Sequence, residues 1–164
     1  MDIRISPITE DHATSYHACV DSVCREGRFL ATLQAPPIEQ TREFVVTQKR
    51  SGNPMFVATA QGEVVGWCDI TPHRHPIHAH RGVLGMGVRA DFRGRGIGRQ
   101  LLKATLDTAR HRGLERVELV VRVSNVAAVR LYESAGFERE CTICRAVKSD
   151  SRYEDAYSTV LFFA

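Results

Sequence analysis

The chain has 164 residues, 43% hydrophobic and 25% charged, with 22 lysines and arginines against 19 acids and a net charge of +3. That size suits one domain with its own core and would crowd two, and the composition excludes a disordered, collagen-like or coiled-coil chain. No run approaches the ~18–20 apolar residues of a membrane span, and Met1-Asp2-Ile3-Arg4 leads straight into polar sequence without an apolar signal core, so a cytoplasmic protein with no membrane partner is expected.

Along the chain, Ile3-Arg4-Ile5 alternates and predicts a first strand that Pro7 stops. Thr9 or Ser6 caps a helix from Asp11 to Arg25, which Gly27 ends. Phe29 and Leu30 fall in a connecting loop, and Pro36-Pro37 opens a second helix through Thr41, Phe44, Val45 and Gln48. After the break Gly52-Asn53-Pro54, strand Met55–Ala60 turns at Gln61-Gly62-Glu63 into a hairpin partner, Val64–Ile70. Pro72 to His80 is a histidine-rich loop. Val83–Val88 is a strand laced by Gly82, Gly85 and Gly87, which mark a bulge or a close approach to the backbone.

The segment Arg93-Gly94-Arg95-Gly96-Ile97-Gly98 opens a helix with Ile97, Leu101, Leu102, Ala104, Leu106 and Ala109 on a helical period, ending near Arg110, Arg112 and Gly113. Val117–Val121 is a strand. Asn125 starts a short helix through Ala128, Val129 and Tyr132 that Gly136 closes. Late strands, Phe137–Val147 and Ala156–Phe163, flank the turn Ser149–Arg152. Without repeats or a linker, this is a single α/β domain spanning 1–164 around a mixed sheet.

Charge is uneven: nine basic and four acidic residues lie between Arg89 and Arg122, which predicts a local anionic ligand. No aromatic platform interleaves with these arginines, so a nucleic-acid partner is not expected. Three glycines between a strand and a helix permit a tight turn whose N–H groups point at one anion, and the helix N-terminus adds partial positive charge. Arg93, Arg95 and Arg99 add formal charge. The pattern is not a P-loop, because no Lys-Ser or Lys-Thr follows, and not a Rossmann fingerprint, because the next strand ends at Val121-Arg122-Val123 without a carboxylate. A pyrophosphate cradle and a turn with exposed arginines remain.

The five cysteines, Cys19, Cys24, Cys68, Cys141 and Cys144, fit no disulfide framework and read as reduced thiols. Cys141-x-x-Cys144 has the spacing of a redox or zinc half-site but lacks a second pair. His73, His75, His78 and His80 have spacing that suits zinc or nickel. Arg74 and Arg81 oppose a cation there, so no metal is expected and the loop reads as a solvated connector.

Arg93–Gly98 resembles the R/Q-x-x-G-x-G/A signature of the GCN5-related N-acetyltransferases, the GNAT superfamily. Leu84-Gly85-Met86-Gly87-Val88 looks like that family's fourth strand. Asn125 to Phe137 looks like its N-x-x-A-x-x-L-Y-x-x-x-G-F segment. The resemblance implies a mostly antiparallel twisted sheet of six to seven strands with about four helices, strands four and five splayed. It also implies acetyl-CoA as co-substrate. The pyrophosphate would lie on Arg93, Gly94, Arg95, Gly96, Ile97, Gly98 and Arg99, and the pantetheine arm along Met86, Gly87 and Val88, with Asn125 and Ala128 beside it. Tyr132 would protonate the departing thiolate, and a Met86 or Val88 N–H would meet the developing oxyanion. Family members that carry a base on the fourth strand have a Glu there. This strand has none, which leaves a held water or a residue from elsewhere, with Asp69 and His80 nearest in sequence.

On the acceptor side the resemblance points to Glu26, Phe29 and Leu30, with Tyr153 and Asp155; the histidine loop reads as lining the acceptor entrance, and His80, at the start of the strand, is its candidate residue. Tyr153-Glu154-Asp155-Ala156-Tyr157 and Phe29–Pro36 are also similar to bacterial YhhY-like amino-acid acetyltransferases, with Ser151 where those carry Gly. The implied acceptor is a small primary amine such as an amino acid. A protein N-terminus or lysine, a non-catalytic acetyl-CoA-binding module and a metal-binding regulator are the alternatives. By analogy with the superfamily, a homodimer is expected.

Overall fold

The computed structural model describes residues 2–164; Met1 of the expected 1–164 unit lies outside them. The strands are β1 (Ile3–Pro7), β2 (Met55–Ala60), β3 (Glu63–Pro72), β4 (Arg81–Val88), β5 (Arg116–Arg122), β6 (Glu138–Ser149) and β7 (Arg152–Phe162). The helices are α1 (Ala13–Cys24), α2 (Ile38–Ser51), α3 (Ile97–His111) and α4 (Val126–Ser134). The strands form one sheet in the order β1-β2-β3-β4-β5-β7-β6. Every neighbouring pair is antiparallel except β4 with β5.

Strand alternation sends two sets of apolar side chains to opposite faces. Val57 and Trp67 meet Tyr16, Val23 and Val45 of α1 and α2. Ala58, Cys68, Ile70 and Val117 meet Leu101, Leu102 and Leu106 of α3, with Tyr132 of α4. The buried positions of α3 are Ile97, Leu101, Leu102, Thr105, Leu106 and Ala109, so its apolar period is its core stripe. Pro37 precedes the first turn of α2, and Gly52 ends it in the left-handed conformation with φ 64°.

Boundaries differ from expectation where local hydrogen bonding adds structure. The first helix opens as a 3-10 turn, Glu10–His12, at whose entry the Thr9 N–H donates to His12 Nδ1 at 3.0 Å; α-helix starts at Ala13. β4 starts at Arg81, ahead of the expected Val83, because Gly82 packs flat there: a Cβ at Gly82 would lie 2.6 Å from Ile70 Cγ2. The two late strands are longer than expected and close through Asp150 and Ser151, both at positive φ, which suits a two-residue hairpin turn.

Candidate active site

The sheet is incomplete at its middle. β4 pairs with β5 only through Arg81, Gly82 and Val83 against Arg116, Val117 and Glu118, although the strands continue to Val88 and Arg122. Beyond Val83 they part, as the family resemblance implies. A charged network holds the closed end. Glu118 accepts hydrogen bonds from Arg81 (2.8 Å) and Arg116 (2.9 Å) and shares one with His73 Nε2 (2.9 Å), and Arg116 also pairs with Glu140. Burial works to raise the Glu118 carboxyl, but the bonds from Arg116, Arg81 and His73 together hold it at about 2.

The open end exposes main chain. His73 N–H donates to Arg81 O, and Arg89 N–H donates to Val65 O, so odd-numbered residues of this stretch turn their amides toward β3. Met86 and Val88 have the opposite parity and turn N–H and C=O into the gap. The Val88 carbonyl accepts from Arg93 Nε at 2.8 Å.

The glycine-rich turn stands at the mouth of this gap. Gly94 and Gly96 have φ of 74° and 75°, a conformation that favours glycine, and a Cβ at either would meet only open space. Gly96 is the residue before α3, and among the described residues no side chain caps that helix and no acid sits in its first turn. The N–H groups of Ile97, Gly98 and Arg99 therefore lack intrahelical partners and present the positive helix end. Gly98 lets α3 approach closely: a Cβ there would lie 3.3 Å from Leu131 and 3.5 Å from Met86. The three arginines divide. Arg95 Nη2 donates to Asp91 O at 3.0 Å. Arg99 lines a groove of about 770 Å³ with Lys103 and Leu131. Arg93 turns to the loop that follows α1, where Nη1 donates to Glu26 at 2.8 Å and the guanidinium stacks 4.7 Å over Phe29.

Tyr132 projects from α4 into the α3-side core, 8% exposed, its ring 5.6 Å from Phe137. Burial, then the nearby Cys68 thiol, pushes the phenol well above its ordinary value, so it stays protonated. Asn125 caps α4, its Oδ1 accepting from Ala128 N at 3.3 Å. The short helix is thus anchored at the residue that leads out of β5.

The loop between α1 and α2, residues 25–37, straps the gap. Glu26 and Phe29 bind Arg93 beyond β4, while Arg122 at the end of β5 donates to Gly27 O and Leu30 O, both at 3.1 Å. Glu26, Phe29 and Leu30 are therefore brought to the cleft, with Glu26 already ion-paired. Tyr153 is not brought to the cleft: it is exposed on the β6–β7 hairpin with its ring against Arg145 and Lys148, while toward the base of that hairpin Asp155 O accepts from Val123 N and the Glu154 carboxylate from Ser124 N. His80 stands apart: its carbonyl accepts from the Glu115 and Arg116 amides at the closed end. Of the other loop histidines, His73 is bonded to Glu118, and among the described residues no cluster of three or more His, Cys, Asp or Glu is placed to hold a metal. Cys141 and Cys144 are exposed on the outer strand β6. Sequence reasoning missed the strap's two arginine anchors and the Glu118 network. It placed Asp69 near the site only by order along the chain, and the structure buries that residue on β3, opposite Gly85.

Residues 10–137 match the family model described as "Acetyltransferase (GNAT) family", and the chain belongs to that family. Among curated relatives, it is 38% identical over 95 residues to the L-methionine sulfoximine/L-methionine sulfone acetyltransferase of Pseudomonas aeruginosa, covering 56% of this chain and 55% of that one. It is 30% identical to the L-amino acid N-acetyltransferase AaaT of Escherichia coli, covering 66% and 67%. It is 40% identical to the N-alpha-acetyltransferase RimI of Mycobacterium tuberculosis, covering 63% and 61%. The match thus spans about half the length of the first of these relatives. The fold is shared with yncA of Salmonella typhimurium, solved with its cofactor acetyl-CoA, at a TM-score of 0.91 and 17% identity over 99% of this chain and 94% of that one.

Proposed function

We propose that this protein transfers the acetyl group of acetyl-CoA to a primary amine, a small molecule such as an amino acid or a close derivative. One observation carries the reading: main chain at Met86 and Val88 that has no β5 partner adjoins an uncapped, glycine-flanked helix N-terminus. The helix end and glycine turn suit a diphosphate. The gap suits a thiol arm that hydrogen-bonds to β4 as a short strand would.

In the reaction, a neutral amine attacks the thioester carbonyl, the C–N bond forms and the C–S bond breaks. A Met86 or Val88 N–H stabilises the oxygen as it gains charge. Tyr132, kept protonated by burial, gives its proton to the leaving sulfur. Retention of a buried phenol beside the gap argues for an enzyme over a passive acetyl-CoA-binding module.

The strap and the Arg93–Glu26 pair make a confined, polar entrance, and two relatives named for amino-acid substrates support a small acceptor. Similarity to RimI favours a second reading, a protein N-terminus. A thiol-release screen of amino acids, polyamines and peptides under saturating acetyl-CoA separates the two. Turnover confined to amino acids supports the first reading, turnover of peptides alone supports the second, and none with any amine contradicts both. On this reading the protein works in the cytoplasm, where its five free cysteines stay reduced, and as a homodimer, which light scattering checks.

A further inference from the structure

β4 carries no carboxylate between Arg81 and Val88, yet an amine that enters as an ammonium has to lose a proton before it attacks. The carboxylates around the cleft are mostly engaged. Glu26 is paired with Arg93 and Glu118 with two arginines, while Glu154 accepts from Ser124 N and Asp155 from Arg145 N. Asp69 differs. It is 9% exposed and takes part in none of the ion pairs among the described residues.

Its placement is specific. Asp69 lies on β3 opposite Gly85, one position from the Cys68–Met86 pair, on the face that carries Trp67, α1 and α2. A Cβ at Gly85 would lie 3.4 Å from Asp69 Oδ1, so the carboxylate rests over bare backbone of β4. Gly87 makes the same allowance for Trp67, whose ring a Cβ there would strike. With strands ~4.8 Å apart, the carboxylate stands one strand from the gap, within reach of one bridging water. Tyr132 approaches from the opposite, α3 face. Acid and carboxylate thus flank the parted strands, and the strap brings the acceptor to the Asp69 side.

We propose that Asp69 takes the proton of the incoming ammonium, through one water that crosses over Gly85. This rests on the acetyl-transfer reading above. The ammonium gives one proton to the Asp69 carboxylate, and the freed lone pair forms the C–N bond as the C–S pair goes to sulfur. Tyr132 protonates the sulfur and is restored by the second amine proton. Asp69 then returns its own proton to solvent, leaving amide, thiol and one net proton.

The surroundings suit that role. Tyr16 of α1 faces the carboxylate, Thr71 adjoins it on β3, Met55 is its β2 partner and Gly85 its β4 partner. From α2, neutral Gln48 donates to Thr71 rather than to Asp69. None of these is a cation. Burial, tempered by Thr71, raises the carboxyl to about 7, where a base works best near neutral pH.

The test compares wild type, Asp69→Asn and Gly85→Ala, with L-methionine sulfone as the acceptor probe and saturating acetyl-CoA. Asp69→Asn is expected to lower kcat/KM at pH 7 by ~10²–10⁴-fold, to abolish the inflection near neutrality and to leave acetyl-CoA affinity unchanged. Gly85→Ala, which sets a methyl beside the carboxylate, is expected to lower kcat/KM with the fold intact. Independently of any acceptor, the infrared difference between wild type and Asp69→Asn is expected to show a carboxyl band titrating near neutral pH. Asp69→Asn with the wild-type rate and inflection, or a band titrating in the ordinary carboxylate range, overturns the proposal. Failure of the underlying reading looks different: wild type releases no thiol with any amine of the screen while the band still titrates near neutrality, and the base role falls with it.

Discussion

Tyr132 is the residue on which the chemistry narrows. Its phenol is protonated because its surroundings exclude water, and a ring packed on Phe137 has little freedom to swing away. Tyr132→Phe keeps the packing and removes the proton. It is expected to lower kcat by ~10²-fold or more while the Kd for CoA stays within twofold, as read by calorimetry beside steady-state kinetics. Unchanged turnover contradicts the acid role. Because the phenol's ordinary value is already alkaline and burial moves it higher, wild-type activity is expected to rise through neutrality as Asp69 loses its proton and to show no fall from Tyr132 ionisation through pH 8 and 9.

Two elements, the glycine turn and the strap, divide the work of holding the two substrates. Gly94 and Gly96 are strained for any other residue by conformation alone, since a Cβ at either meets no neighbour. Gly96→Ala is expected to cost about 1 kcal/mol at the turn and to weaken CoA binding severalfold, with the acceptor KM little changed. The strap predicts the converse. Arg122→Gln removes the donors to Gly27 O and Leu30 O, and is expected to raise the acceptor KM with the CoA Kd intact. Faster amide exchange confined to residues 25–37 would accompany it. A variant that instead lost CoA affinity would show that the strap serves the donor. The turn was legible in the sequence because its chemistry is local: three glycines and a periodic helix in consecutive residues. The strap was not, because Arg93 and Glu26 are 67 positions apart and Arg122 and Gly27 95 apart, and no local pattern announces such pairs.

At the scale of the whole molecule, the sheet reads as two antiparallel halves joined at a short parallel seam. The order of elements, the hairpins and the apolar faces were legible because strand alternation and helical period write them into neighbouring residues. Glycines at 82, 85 and 87 hinted at the parted strands. The clamp on the seam was not legible, since Glu118 draws His73 and Arg81 from 45 and 37 positions away. Nor was the burial of Asp69, which follows from the packing of α1 and α2 over β3. Glu118 is held at about 2, below its ordinary 4.5, so its contribution to stability is present above pH 4.5 and lost as pH falls toward 2. Glu118→Gln is expected to lower stability by roughly 1–3 kcal/mol at pH 7, with the difference from wild type shrinking below pH 4.5 in denaturant titrations. A constant difference across that range contradicts the clamp.

The most direct measurement is a crystal structure of the protein with coenzyme A. The diphosphate is expected on the amides between Gly94 and Arg99, the thiol arm hydrogen-bonded to Met86 and Val88, and the sulfur beside the Tyr132 hydroxyl. Coenzyme A bound elsewhere, with β4 and β5 closed on each other beyond Val83, would contradict the proposed function.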